Sequence, residues 1–464
     1  MDCRYFHLWN FSQRGLLNRQ ENSTCTWLAA SEILELRGCG VMGYPDLRKL
    51  AVCRNLLKDE IVNKLIAVQL TEQNDSSADT EAADNELQLL RGELAALLIK
   101  KAETLGLSGN ILSTYLIYCL AEGNNTAAES IEATGAYGKG LVQATAQDMQ
   151  LLLPYLSAKS SAFTGRSFLD AYVPSAEADN QFENNLMKKI VEAKTAAGAA
   201  RALLTHYKKW GSGMLARYTA FRIGTGGTLI GIADFPAFAW DDLLGYEDQK
   251  YKLLTNTQNF MKGRPANNVL LTGARGTGKS TGVKALAAMF AAKGLRLIQI
   301  TRDQLELVAP VLEKLNETRS KKFILFFDDL SFDEGESSYK YLKSAIDGSV
   351  TAQPDNVLIY ATSNRRHLLK ETWSDRNDAL EAEVYRQDSA NESISLSDRF
   401  GLILHYSTPS QDEYLQIIDH ELRKAGVRLS KEELKLQGIR WEMEHSGRNG
   451  RIANQFVKWY LGNH

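Results

Sequence analysis

Residues 269–281 read Val-Leu-Leu-Thr-Gly-Ala-Arg-Gly-Thr-Gly-Lys-Ser-Thr, an apolar strand running into Gly273, four intervening residues and Gly278-Lys279-Ser280. That spacing predicts a loop wrapped around phosphate groups. Gly273, Gly276 and Gly278 let successive backbone N–H groups turn inward, and Ala274, Arg275, Thr277 and Thr281 complete the turn around a nucleotide's β- and γ-phosphates. Lys279 supplies a point positive charge and Ser280 a hydroxyl for Mg2+. The apolar residues Val283, Leu286, Ala287 and Phe290 recur at helical spacing, so the loop opens a helix whose positive dipole end faces the phosphates.

Such a loop needs a carboxylate for the Mg2+ on a second strand, and Lys322-Phe-Ile-Leu-Phe-Phe-Asp328-Asp329 provides one. Five consecutive apolar residues describe a strand buried on both faces of a parallel sheet, with the acids at its C-terminal end, where open α/β sheets bind ligands. Asp328 is expected to hold the Mg2+ through water. Asp329 is expected to orient or deprotonate the water that attacks the γ-phosphate. Two further strands, Leu295–Thr301 and Val357–Asn364, alternate with helical runs at 280–293, about 310–318 and 338–347. This alternation predicts an α/β fold with a parallel, doubly wound sheet, and Asn364 closes its strand at the ligand edge, opposite Asp329.

At this point the residues resemble the AAA+ class of ATPases, in which an acidic strand, a sensor Asn, an arginine finger and a second sensor Arg follow the phosphate loop in that order. Leu396-Ser-Asp-Arg399-Phe-Gly looks like the finger segment, Gly450-Arg451-Ile-Ala-Asn like the start of the second sensor helix, and Leu244-Gly245-Tyr246-Glu247 like the segment that packs on adenine. More closely, the stretch from Phe238-Ala-Trp240-Asp to Phe456 resembles an uncharacterised bacterial family of AAA+-like ATP-binding proteins known only as a domain of unknown function. The resemblance implies ATP and Mg2+ as cofactors, a catalytic set of Lys279, Asp329, Asn364, Arg399 and Arg451, and Arg399 acting from a neighbouring subunit of a homo-oligomer. Asp329 stands where many AAA+ proteins carry Glu, one methylene longer, so its water must sit closer. Arg365 and Arg366, after Asn364, and Arg275 within the loop are assigned solvent or interface roles.

The chain has 464 residues, 44% of them apolar, and a net charge of −2. No apolar stretch approaches the eighteen residues of a membrane span. The start, Met-Asp-Cys-Arg-Tyr-Phe-His, lacks a basic region followed by an apolar core, which predicts no secretory signal and a cytoplasmic location. Cys3, Cys25, Cys39, Cys53 and Cys119 contain no C-x-x-C pair, so they are read as reduced thiols. Seven scattered histidines suggest no metal cluster.

Five segments are expected: a small module over 1–70, an acidic polar linker over 71–85, a helical region and linker over 86–232, the nucleotide-binding α/β core over 233–408 and a helical lid over 409–464. The Gly-rich stretch Ile223–Gly231 has no Lys behind it and reads as a hairpin turn or linker. Residues 241–464 carry as many basic as acidic side chains. Nucleic-acid binding draws on a basic excess, so this balance weakens a DNA-associated role without excluding a local patch. Three functions stay open: an oligomeric ATPase that works on a protein client through its helical N-terminal region, a helicase-loader-like DNA-associated ATPase, and a slow or non-hydrolysing nucleotide switch.

Overall fold

Three apolar runs, β3 (Val269–Gly273), β5 (Lys322–Phe327) and β6 (Val357–Ser363), are buried almost throughout and form the middle of a sheet. The computed structural model describes residues 43–75, 81–177, 181–236, 238–332, 338–347, 353–364, 397–445 and 447–463. With β1 (Ala220–Ile223), β2 (Leu229–Gly231), β4 (Leu295–Ile300) and β7 (Leu402–Tyr406), the sheet has seven strands in the order β2-β1-β4-β5-β6-β3-β7. All neighbours are parallel except β1 and β2. β3 lies between β6 and β7, away from its successor β4. The connections after β3 and β6 therefore diverge, which opens a crevice at the C-terminal ends of the strands.

Side-chain alternation divides the interior into two layers. Along β5, Phe323, Leu325 and Phe327 join one core with the helix Val308–Asn316. Ile324 and Phe326 join the other with the helices Glu247–Met261 and Lys279–Phe290. The C-terminal helices Gln411–Lys424, Lys431–Glu444 and Gly450–Asn463 enclose a separate small core around Tyr414, Ile418 and Phe456. Among the described residues no helix is long and apolar enough to cross a membrane.

The N-terminal region is helical, from Glu60–Asp75 to Gly213–Arg217, and two expectations about it are corrected. The acidic segment 71–85 is not a linker where it is described: Thr71–Asp75 ends one helix, and Glu81–Asn85 opens the 25-residue helix Glu81–Leu105. Gln73, Asp84 and Asn85 are exposed to solvent on a helix pair tied by Arg91–Glu72 (2.6 Å) and Lys64–Glu93 (2.5 Å). Nor does position 70 divide two units, because Leu47 to Val68 share one core with Leu87 to Tyr207. The buried Asp148 carboxylate also accepts the N–H groups of Ala51, Val52 and Cys53 (3.0, 2.8 and 2.7 Å). Residues 1–42 of the expected module, with Cys3, Cys25 and Cys39, lie outside the described residues. Cys53 is buried and Cys119 half-buried, both free thiols. The Gly-rich stretch 223–231 is a hairpin, and its strands β1 and β2 extend the sheet beyond β4, so 232 is not the limit of the α/β core.

The helical region meets the sheet at the N-terminal ends of the strands. Ser320 N–H donates to the Glu132 carbonyl (3.0 Å), and the Lys321 ammonium to the carbonyls of Lys208 (3.2 Å) and Lys209 (3.1 Å). Lys321 is 1% exposed. Burial pushes its ammonium down from about 10.5 to about 7, with Arg296 adding to the drop and Glu132 opposing it. Nearby His206 is held down to about 4 by burial, with Lys189 and Lys321 adding to the drop. Between pH 7 and 10.5 the unfolded chain keeps a proton at Lys321 that the folded chain has released, so rising pH favours folding by about 1.4 kcal/mol per unit from this group. Lys321→Met is expected to lose that slope. Thermal unfolding followed from pH 7 to 9.5 checks it, the difference between wild type and variant isolating Lys321 from other groups.

Candidate nucleotide site

Gly273 ends β3 with φ +129°, and a Cβ there would lie 1.9 Å from the Tyr406 carbonyl oxygen. A side chain would thus part β3 from β7. Four residues on, the Thr277 hydroxyl donates to the Ala274 carbonyl (2.9 Å) and closes the turn. Gly278, with φ +87°, caps the helix Lys279–Phe290 without a side chain, which leaves the first helical N–H groups to a ligand.

Lys279 is the first residue of that helix and only 5% exposed. Its ammonium donates to the carbonyls of Gly273 (2.8 Å) and Ala274 (2.6 Å) and to Asn364 Oδ1 (3.2 Å). Burial holds it below the ordinary lysine value, against the pull of Asp329 and Asp328. The Ser280 hydroxyl, one residue on, donates to Asp328 Oδ1 (2.5 Å), so the helix start and the end of β5 meet at one carboxylate.

Asp329 is one of three described non-glycine residues at positive φ, +57°, a conformation Asp tolerates better than most. Its N–H donates to Thr362 Oγ1 (2.9 Å), and that hydroxyl donates to Asp328 Oδ1 (2.8 Å). Asn364 Nδ2 donates to Asp329 Oδ1. Thr362, 1% exposed, escaped the sequence reading. Its signal was its place two residues before Asn364, on the same face of β6.

The C-terminal helical segment reaches the loop Gly273–Gly278 directly. Gly450 N–H donates to the Gly276 carbonyl (2.8 Å), while Asn449 Oδ1 caps the last helix by accepting from Ile452 N–H (3.0 Å). Elsewhere Asp242 joins Lys424 and His420 of the helix Gln411–Lys424, and the Lys424 hydrogen bond holds its carboxyl below the usual range. Tyr246, also at φ +57°, donates its hydroxyl to the Ser407 carbonyl (2.6 Å) and packs its ring against Tyr406 (4.9 Å).

These elements enclose a cavity of about 1000 Å³ whose walls include Tyr246, Arg275 to Thr281, Asp328, Asp329, Asn364 and Arg451. Its size is at the upper end for small-molecule sites. Gly273 and Ala274 are not among its walls and meet the site through their carbonyls on Lys279. Gly245 borders a small space beside it, with Trp240 and Tyr406. Arg399 does not line it: Leu402, at the start of β7, pairs with Val269, and Tyr406, at its end, with Gly273. Arg399 thus precedes a strand that spans about 13 Å between it and the loop. Arg365 and Arg366 lie outside the described residues. The Ser280 hydroxyl and the Asp328 carboxylate, on one edge beside the first turn of the helix Lys279–Phe290, form a hard-oxygen donor set of the kind that fits Mg2+.

A family model described as a protein of unknown function (DUF815) matches residues 216–464. Among solved structures the chain is similar to the Thermotoga maritima RuvB Holliday junction branch migration motor, at 22% identity over 48% of this chain and 64% of that one, with a TM-score of 0.32. The chain thus spans just under two thirds of that motor. It is also similar to the FIGL-1 AAA domain in complex with ADP (21% identity, 48% and 72% covered, TM-score 0.34) and to PCH-2 of C. elegans (16%, 48% and 65%, 0.33). No curated protein matches it in sequence.

Proposed function

Given that the chain belongs to the DUF815 family, whose description assigns no activity, we propose from the site itself that it is a Mg-ATP-binding ATPase of the AAA+ type. In this reading it acts as an oligomer and couples hydrolysis to the regulation or remodelling of a protein client held by its helical N-terminal region. The observation that carries the reading is the convergence of Lys279, Ser280, Asp328, Asp329 and Asn364, from three elements, on one edge of the cavity.

The loop N–H groups and Lys279 hold the β- and γ-phosphates. Mg2+, when bound at Ser280 and Asp328, neutralises phosphate charge. To meet the γ-phosphate, the Lys279 ammonium leaves Asn364, and the freed amide oxygen then accepts a hydrogen bond from the attacking water. Asp329, on the other side of that amide, takes the water's proton. Arg451 contacts the γ-phosphate from the lid, and the Gly450–Gly276 hydrogen bond ties lid rotation to the loop. Tyr246 and its neighbours receive the base.

A second reading, a slow nucleotide switch, is favoured by one feature: the short Asp329 side chain is engaged by Asn364. The paired carboxylates separate the two. Asp329→Asn is expected to keep Mg-ATP binding and to cut turnover at least about tenfold, because an amide orients water but takes no proton. Asp328→Asn is expected to weaken binding only when Mg2+ is present. Equilibrium titration with and without Mg2+, plus single-turnover hydrolysis, reads both outcomes. Identical binding curves for the two variants would refute the division of roles. Wild-type turnover no faster than that of Asp329→Asn would establish the switch.

A further inference from the structure

Arg296, on β4, is 2% exposed, and among the described residues no carboxylate lies within ion-pairing distance of it. Its guanidinium is instead spent on backbone carbonyls. Nη1 donates to Ala291 and Leu295 (2.8 Å each), Nε to Leu215 (2.7 Å) and Nη2 to Trp210 (3.2 Å). Ala291 immediately follows the phosphate-loop helix Lys279–Phe290, and Trp210 ends the helix Ala196–Trp210 of the N-terminal region. Lys321 sits beneath the same helix end, on the carbonyls of Lys208 and Lys209. Glu132 braces the next turn by accepting from Ser212 N–H (3.0 Å) and its hydroxyl (2.6 Å).

Mere adhesion between two units is served by apolar contact, since burying unpaired cations is costly. What these two nitrogen donors add is directional contact with helix carboxyl ends, whose carbonyls carry partial negative charge. The guanidinium is a rigid planar fork. Ala291, Trp210 and Leu215 therefore cannot shift independently while all are bonded to it. The phosphate-loop helix is twelve residues long, so it links the phosphates to this fork as a rod of about 18 Å.

We propose that Arg296, backed by Lys321, is a positioning joint that passes the nucleotide state of the phosphate-loop helix to the helical N-terminal region and returns client binding there to the loop. The proposal rests on the ATP reading above. Coupling of this kind is reciprocal. Its signal appears at residues 203–217, which touch no nucleotide.

Hydrogen exchange of the full chain, with and without Mg2+ and a slowly hydrolysed ATP analogue, tests it, with analogue affinity measured on the same samples. In wild type, exchange over residues 203–217 is expected to slow at least about threefold on analogue binding. Arg296→Lys keeps the charge but loses the fork, and Lys321→Met keeps the length but loses the donors. Each is expected to bind the analogue within about twofold of wild type and to lose more than half of that slowing. A merely structural role would lower stability without removing the nucleotide-dependent difference. Wild-type binding with no change over 203–217 overturns the joint, as does full slowing in both variants. If wild type binds no analogue, the affinity measurement shows that the ATP reading has failed, and the joint falls with it. The wild-type comparison decides the question even if a variant fails to fold.

Discussion

Lys279→Ala is expected to weaken ATP binding about a hundredfold or more while leaving a folded protein. Two consequences of removing the side chain have different sizes. Its ammonium now satisfies the carbonyls of Gly273 and Ala274 and the amide oxygen of Asn364. Losing these hydrogen bonds costs stability, about 1 kcal/mol for each one that water does not replace. A bound triphosphate loses a charge-assisted contact worth about 1.5–3 kcal/mol and the field of a buried cation. Each 1.4 kcal/mol is tenfold in affinity, so the lost contact and field together reach about a hundredfold at the ligand, while water that replaces the lost hydrogen bonds limits the cost to the fold. Titration with a fluorescent ATP analogue, beside a thermal melt, separates the two effects. Unchanged affinity would remove the phosphate-loop assignment and the mechanism built on it.

The sheet was legible because its central strands advertise themselves. A run such as Phe323–Phe327 has one stable placement, between two layers of helices, and Gly278-Lys279-Ser280 fixes what stands at the end of β3. Once those are set, Asp328, Asp329 and Asn364 fall on one edge, because parallel strands present their C-terminal ends together. What escaped the sequence depended on contacts between distant segments. Thr362 reads as an ordinary β-branched strand residue, and only the proximity of β5 makes it the bridge between Asp328 and Asp329. Lys321 and Lys322 are adjacent and chemically identical, yet the first is buried on helix carbonyls while the second reaches the Asp355 carbonyl at the exposed edge. Arg296 sits inside the run Leu-Arg-Leu-Ile, where burial of the strand was evident but the partner of the charge was not. The acidic segment 71–85 misled for a related reason: composition reports exposure to solvent, and exposure alone does not distinguish a linker from the outer side of a helix pair.

Arg399→Ala is expected to bind ATP normally and to hydrolyse it on the order of a thousandfold more slowly, the effect of losing a guanidinium that stabilises charge on the transferred phosphoryl group. Within one chain, Arg399 stands at the wrong end of β7 for this task. Leu402 pairs with Val269 and Tyr406 with Gly273, so the strand separates Arg399 from its own loop, and the cavity walls do not include it. A catalytic Arg399 must therefore serve the site of a neighbouring copy. Mixing tests that directly. An Arg399→Ala subunit keeps an intact loop, and a Lys279→Ala subunit keeps an intact Arg399, so wherever the first receives the arginine of the second, one working site is rebuilt from two inactive proteins. Hydrolysis is expected to recover in part on mixing and to rise with total protein concentration. An inactive mixture, under conditions where sedimentation shows the two variants assembled together, would place Arg399 in its own subunit's structure and leave the site to work without an arginine supplied from outside.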